Sequence, residues 1–231
     1  MSTHTDTPDG PEPSESHSAR KLFEVGGLVA AVVLVAFGIA AIALGANGLS
    51  TVHTSIEQQK IKGDSKMTPT EVKSAFAAAG LSTKGVGLPT CSVSGVAIKN
   101  GTQARCFAGY MRTDALEATK GLTFSEMGMY LTPAGKETSE KADAALKEGK
   151  PVSNPAREIW VEETALSTAL NASYMAEQIS TFGIVVGIAL LLTGLGFAIL
   201  TIGGALHNQS SDRALRLLTR RRGTGAPPAA E

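Results

Sequence analysis

Cys91 and Cys106 are the only two thiols in the 231-residue sequence, and their chemistry depends on the compartment that holds them. In an oxidising compartment an even count favours a disulfide. Closing a loop of about 15 residues would stabilise the fold by ~3 kcal/mol in the chain-entropy description. A catalytic or metal-binding thiol is the alternative. It would call for a Cys-x-x-Cys motif or a neighbouring imidazole, whereas this stretch has no such motif and its one histidine is His53. A local signal competes with the disulfide. Lys99-Asn100-Gly101-Thr102 suggests a hairpin with a tight Asn-Gly turn, which pairs Cys91 with Tyr110 and sets Cys106 opposite Gly95. That register holds the sulfurs apart, so the disulfide requires an irregular or longer loop there.

Other reactive constellations find few residues to build them. A two-histidine-one-carboxylate metal centre needs two imidazoles in one compartment. His4 and His17 lie in the N-terminal tail, far along the chain from His53. A nucleophile-His-acid triad would have to use His53, and no Gly-x-Ser-x-Gly, Walker or dinucleotide fingerprint occurs. Glu162 and Glu163 are adjacent on a helical stretch, so they face different ways and read as solvated. The expectation is no catalytic residue, no metal ligand and no cofactor.

Two apolar runs bracket the cysteines and decide where they reside. Phe182–Ile202 carries no charged residue, and a bilayer core of ~30 Å needs about 20 such residues in a helix. Val25–Leu44 has the same character. It exceeds the h-region of a signal peptide, so it reads as an uncleaved anchor, with Glu24 at the headgroup edge. The expected division is a disordered cytoplasmic tail over residues 1–19, a first transmembrane helix over 22–47 and an extracytoplasmic domain with a helical stalk over 48–178. A second transmembrane helix over 179–206 and a basic cytoplasmic tail over 207–231 complete it. The tail 1–19 is rich in Ser, Thr, Pro and acidic residues, too polar to offset its ordering entropy.

Charge sets the orientation. Arg20 and Lys21 precede the first run, and Arg213, Arg216, Arg220, Arg221 and Arg222 follow the second. On the far side Lys60 and Lys62 alone lie near the first run. Basic flanks stay cytoplasmic, which places both termini inside a plasma membrane and the middle outside. The five arginines, on a short helix with Leu215, Leu217 and Leu218, read as a membrane-surface anchor; docking a cytoplasmic protein or nucleic acid is the sharper alternative. The formal net charge is zero, so no global attraction to nucleic acid is expected.

Helix signals fill much of the middle. Leu49, Val52 and Ile56 recur at helical spacing, so the first helix should continue as a stalk. Thr68-Pro69-Thr70-Glu71 is a capping box before a helix to about Ala79, with Met67 and Val72 as its staple and Gly80 as its stop. Cys106–Ala118 reads as helix, and Thr123-Phe-Ser-Glu126 repeats the capping-box pattern before a short helix through Leu131. Thr132–Gly135 is a turn, and Ser139–Lys147 a polar helix. Asn154-Pro155 opens a helix that should run unbroken to about Leu206, with Trp160 as a packing residue. Within the second apolar run Gly183-Ile-Val-Val-Gly187 is a small-xxx-small face, and Gly27/Ala31 and Ala41/Gly45 offer similar faces on the first. Such faces serve either pairing of the two runs within one chain or homo-oligomerisation.

Phe107-Ala-Gly-Tyr-Met-Arg112, Ala115–Thr119, Asn154-Pro-Ala-Arg157, Trp160-Val, Glu163–Asn171 and Phe182–Gly187 together give a resemblance over roughly residues 85–205. On these blocks the chain resembles an actinobacterial family of two-span membrane proteins, whose members often bear the label of ring-opening dioxygenase subunit. The iron chemistry in that label requires histidine ligands that the middle of this sequence does not supply. What the resemblance implies is architectural.

The fold class expected is a mainly α membrane protein. Two transmembrane helices extend into a helical-hairpin stalk that carries a small helix-rich extracytoplasmic domain with a short β-hairpin. The function expected is a non-enzymatic interaction or scaffold role in the cell envelope, with the lipid bilayer and either further copies or an envelope protein as partners. An extracytoplasmic ligand sensor or transport accessory is the alternative, and an envelope enzyme the third reading.

Overall fold

The computed structural model describes the backbone of residues 13–222 and the side chains of residues 25–203. Among the described residues the fold is mainly helical, with little sheet. Helices α1 (Pro13–Gln58), α2 (Pro69–Ala78), α3 (Gly101–Ala118) and α4 (Pro155–Arg222) carry it. Two-residue strands β1 (Tyr130–Leu131), β2 (Glu137–Thr138), β3 (Leu146–Lys147) and β4 (Lys150–Pro151) and a 3-10 turn at Lys141–Asp143 fill the stretch between α3 and α4. The chain forms two compact units, Met1–Ala43 with Gly183–Glu231, and Leu44–Phe182; α1 and α4 contribute to both.

In the first unit the apolar stretches of α1 and α4 lie antiparallel, from Gly27 beside Thr201 to Gly38 beside Gly187. A Cβ on Gly38 would stand 2.8 Å from the Gly187 carbonyl oxygen, and one on Gly187 would stand 2.8 Å from that of Gly38. The two backbones therefore touch, which only glycine at both positions permits. Gly194 seats against Ala31 and Val35 in the same way. Helices Val25–Gln58 and Pro155–Gly203 are long and apolar enough to cross a membrane, with mean hydropathies of 2.8 and 2.5. Only 11% of each most apolar window is buried, unlike a core helix of a soluble domain. Val29, Val32, Phe37, Phe182, Val185 and Leu192 all stand exposed.

The second unit holds two apolar clusters. One joins Ile56 of α1 to Val72 of α2, Val93 and Ile98 of the following loop, Ala104, Cys106, Ala108 and Tyr110 of α3, and Leu170 of α4. The other joins Phe76, Ala115, Leu116, Met127 and Trp160. Trp160 is 4% exposed and donates from Nε1 to the Leu122 carbonyl at 2.9 Å, so it is a packing residue as expected. Helix α2 begins and ends at its signals: Thr68 accepts from the Glu71 amide at 3.2 Å. At its other end Leu81 N donates to Phe76 O and Gly80 N to Ala77 O, a Schellman closure. Asn154 accepts from the Ala156 amide and heads α4.

Four expectations are corrected. Asn100-Gly101 is not a hairpin turn: Asn100 is the N-cap of α3, its side chain accepting from the Gln103 amide at 2.9 Å, so the helix starts before Cys106. Thr123–Glu126 does form the reciprocal bond, Glu126 accepting from the Thr123 amide and hydroxyl, yet no helix follows, because the chain turns into β1. In place of a polar helix over Ser139–Lys147, β3 and β4 form an antiparallel hairpin with Leu146 opposite Pro151. Its two turn residues, Glu148 and Gly149, both have positive φ (53° and 74°), as a type I′ turn requires. α1 is helical from Pro13, so residues 13–19 of the tail expected to be disordered lie in helix, while residues 1–12 lie outside the described part. The turn at Thr132–Gly135 joins β1 to β2, where Tyr130 stands opposite Thr138.

Candidate functional site

An apolar opening in the second unit lies where α1, α3 and α4 converge. Helical spacing brings Ile56 of α1, Phe107 and Met111 of α3, and Leu166 and Leu170 of α4 to one cleft of about 490 Å3, with Ile61 also on its lining. Ser55, Gln59 and Ser173 supply polar groups on its lining. Leu170 is buried, whereas Leu166 is 52% exposed, so the cleft opens to solvent on the Leu166 side. Such a lining takes an apolar group and orients it with a few hydrogen bonds.

One edge of this region is organised by a carboxylate. Glu177 of α4 accepts from the Gly101 amide at the N-terminus of α3 and lies 3.2 Å from Nε2 of His53 on α1. An acidic group there complements the dipole of α3 and ties three helices at one point. Arg105, one turn on, stacks over the Tyr174 ring at 4.7 Å. No sequence signal separated Glu177 from the other acidic residues. Only its distance from Gly101 does.

Cys91 and Cys106 are joined by a disulfide, with Cα atoms 6.1 Å apart. Cys91 is exposed on its loop while Cys106 is 7% exposed in the first cluster, so the bond ties the loop Leu81–Asn100 to α3. Tyr110, one turn after Cys106, is 1% exposed and donates to the Cys91 carbonyl at 2.6 Å; burial raises its pKa. The starting point of α3 resolves the competition between hairpin and disulfide.

Between α2 and α3 runs a second groove of about 450 Å3, with a lining that mixes charged side chains with Met67, Val72, Ala75 and Tyr110. Asp64, Glu71, Asp114 and Glu117 line it, with Lys66 the one cation. Burial, then Glu117, then Asp64 raise the Asp114 pKa. Among the described residues no group of three or more His, Cys, Asp or Glu is placed to hold a metal ion.

Gly187 is buried against α1 and Gly183 is half-buried on the same helix, so this small-xxx-small face is used within one chain at Gly187. Gly38, its counterpart, escaped the sequence reading because Leu34 and Ile42 stand four positions to either side of it, so no small-xxx-small pair marks it. Arg213, Arg216, Arg220, Arg221 and Arg222 fall in the last part of α4, and their side chains lie outside the described residues. Glu163 departs from expectation: it is buried, 6% exposed, where a solvated carboxylate was expected.

No protein-family model, no curated protein and no solved structure matches the chain. The class defined by the fold is therefore a mainly helical protein with two helices that could span a membrane and a disulfide-bonded domain between them.

Proposed function

We propose that this chain is a two-span plasma-membrane protein with both termini cytoplasmic and residues 48–178 exported, serving a non-enzymatic interaction role in the cell envelope. The observation that carries the interaction role is the apolar cleft of about 490 Å3 between α1, α3 and α4, which is a large apolar surface for a small domain to leave open. The bonded Cys91–Cys106 pair supports export, since such bonds persist in oxidising compartments, and the flanking arginines support the orientation. The occupant proposed is an apolar side chain or short apolar segment of an envelope partner.

A second reading, a ligand sensor or transport accessory, draws on one further feature. The helices that line the cleft, α1 and α4, are the two that carry the apolar runs, so an occupant could bias their spacing. A photoactivatable residue at Met111, crosslinked in native membranes, separates the readings. A discrete protein adduct that disappears with a Leu170→Glu change supports the interaction role. A small-molecule or lipid adduct with no protein supports the sensor. An uncrosslinked chain under conditions where a control position on the exposed face of α4 behaves identically sinks both.

A further inference from the structure

A polar cavity of about 350 Å3 lies on α3 and α4, apart from the apolar cleft. Arg105 and Arg112 of α3 line it together with Glu163, Thr164, Ser167 and Asn171 of α4. Each guanidinium is held by an aromatic face, Arg105 at 4.7 Å from the Tyr174 ring centre and Arg112 at 5.4 Å from that of Trp160. Stacking of this kind fixes a planar cation while leaving its N–H edge free to donate. The Glu163 carboxylate shares the cavity and is 6% exposed. Its hydrogen-bond partner among the described residues is the Thr164 hydroxyl, at 3.4 Å. Neither arginine pairs with it: the ion pairs within 4.0 Å among the described residues are His53–Glu177 and Lys99–Glu57.

A buried carboxylate is costly unless a cation satisfies it, and the two stacked, solvent-exposed guanidiniums that line the same groove lie more than 4.0 Å from it. We propose that this cavity binds a small zwitterion of the α-amino-acid class. Its ammonium donates to Glu163, with the Asn171 amide oxygen and Ser167 hydroxyl as further acceptors, and its carboxylate accepts from Arg105 and Arg112. A simple anion would have to face Glu163 and a simple cation would have to face two guanidiniums. A molecule bearing both charges a few bonds apart satisfies each wall. The same pair of charges is offered by a free amino acid and, with phosphate in place of carboxylate, by an aminophospholipid headgroup. The site is independent of the apolar cleft and of any occupant there.

The test is calorimetric titration and thermal unfolding of the full chain in detergent micelles. The probes are the single L-amino acids, phosphoethanolamine, acetate and methylammonium, each to about 10 mM. At least one amino acid or phosphoethanolamine should bind and raise the midpoint, while acetate and methylammonium should not; which of the two zwitterions binds tighter identifies the source. Glu163→Gln keeps the shape and should weaken binding about tenfold or more, as should Arg105→Gln. A wild-type chain indifferent to every zwitterion overturns the proposal, even if Glu163→Gln shifts the unliganded midpoint. So does an equal response to acetate, or undiminished binding by both variants.

Discussion

Lys120 holds a backbone conformation that its side chain resists. It follows the C-cap Thr119 of α3 with φ of 55°, and its amide donates to Glu117 O while Gly121 N donates to Leu116 O. That is the Schellman arrangement, in which the left-handed position is normally glycine. Lys120→Gly should therefore stabilise the second unit by ~1 kcal/mol, less than the full left-handed penalty because glycine also frees the unfolded chain; chemical denaturation would show it as a higher midpoint at unchanged slope. Asp114 gives a pH prediction. Its pKa is raised by burial, then by Glu117 and Asp64, so the folded state binds its proton more tightly than the unfolded chain does. The associated stabilisation is present below its ordinary value and lost as pH rises through the folded value. Asp114→Asn should accordingly raise the melting midpoint at pH 7 relative to wild type, and the difference should close below about pH 4. A difference that widened in acid would contradict the assignment.

At the level of elements, the pairing of α1 with α4 rests on backbone contact at Gly38 and Gly187. Gly187→Leu has no room beside the Gly38 carbonyl and Ile42, so the helices must separate along the whole apolar pair. The expected readout is loss of an engineered Gly27–Thr201 disulfide crosslink in membranes, where the two Cβ positions lie 3.9 Å apart, with the second unit unfolding at its usual midpoint. The Cys91–Cys106 bond acts on a different element, the loop that supplies Val93 and Ile98 to the first cluster. Replacing both cysteines by serine should cost the second unit ~3 kcal/mol for its 15-residue separation, measured by denaturation under non-reducing conditions. Elements bounded by their own chemistry were readable in advance. The Thr68 cap and the Gly80 stop are local interactions, and α2 obeys them. The Thr123–Glu126 box makes its return bond, the Thr123 amide donating to the Glu126 carboxylate, and yet heads no helix. Gly128 lies against the Thr138 backbone there, and the β1–β2 pairing claims the chain.

For the whole molecule, the proposed topology makes one demand on compartment. An epitope inserted in the β1–β2 turn near Lys136 should be cut by protease added to intact cells, and one fused after Arg222 should be protected until the membrane is opened. The reverse pattern would place the disulfide-bonded domain in the cytoplasm and remove the envelope role with it. Thiol labelling offers a parallel check, since with Cys91 and Cys106 bonded no thiol should react from outside before reductant is added.

The apolar runs, the basic flanks, the N-caps of α2 and α4 and the isolation of His53 were legible in the order of residues, because each depends on neighbours within a few positions or on composition alone. The apolar cleft, the buried Glu163 that shares a lining with two stacked arginines, and the Glu177 carboxylate at the head of α3 were not. Each unites residues from helices that lie far apart in the chain. One residue of α4 meets one of α3 only after Asn100, rather than a hairpin turn, has set where α3 begins. Local chemistry names the elements; which side chains come to share a cavity depends on how those elements pack, and packing is a property of the assembled chain.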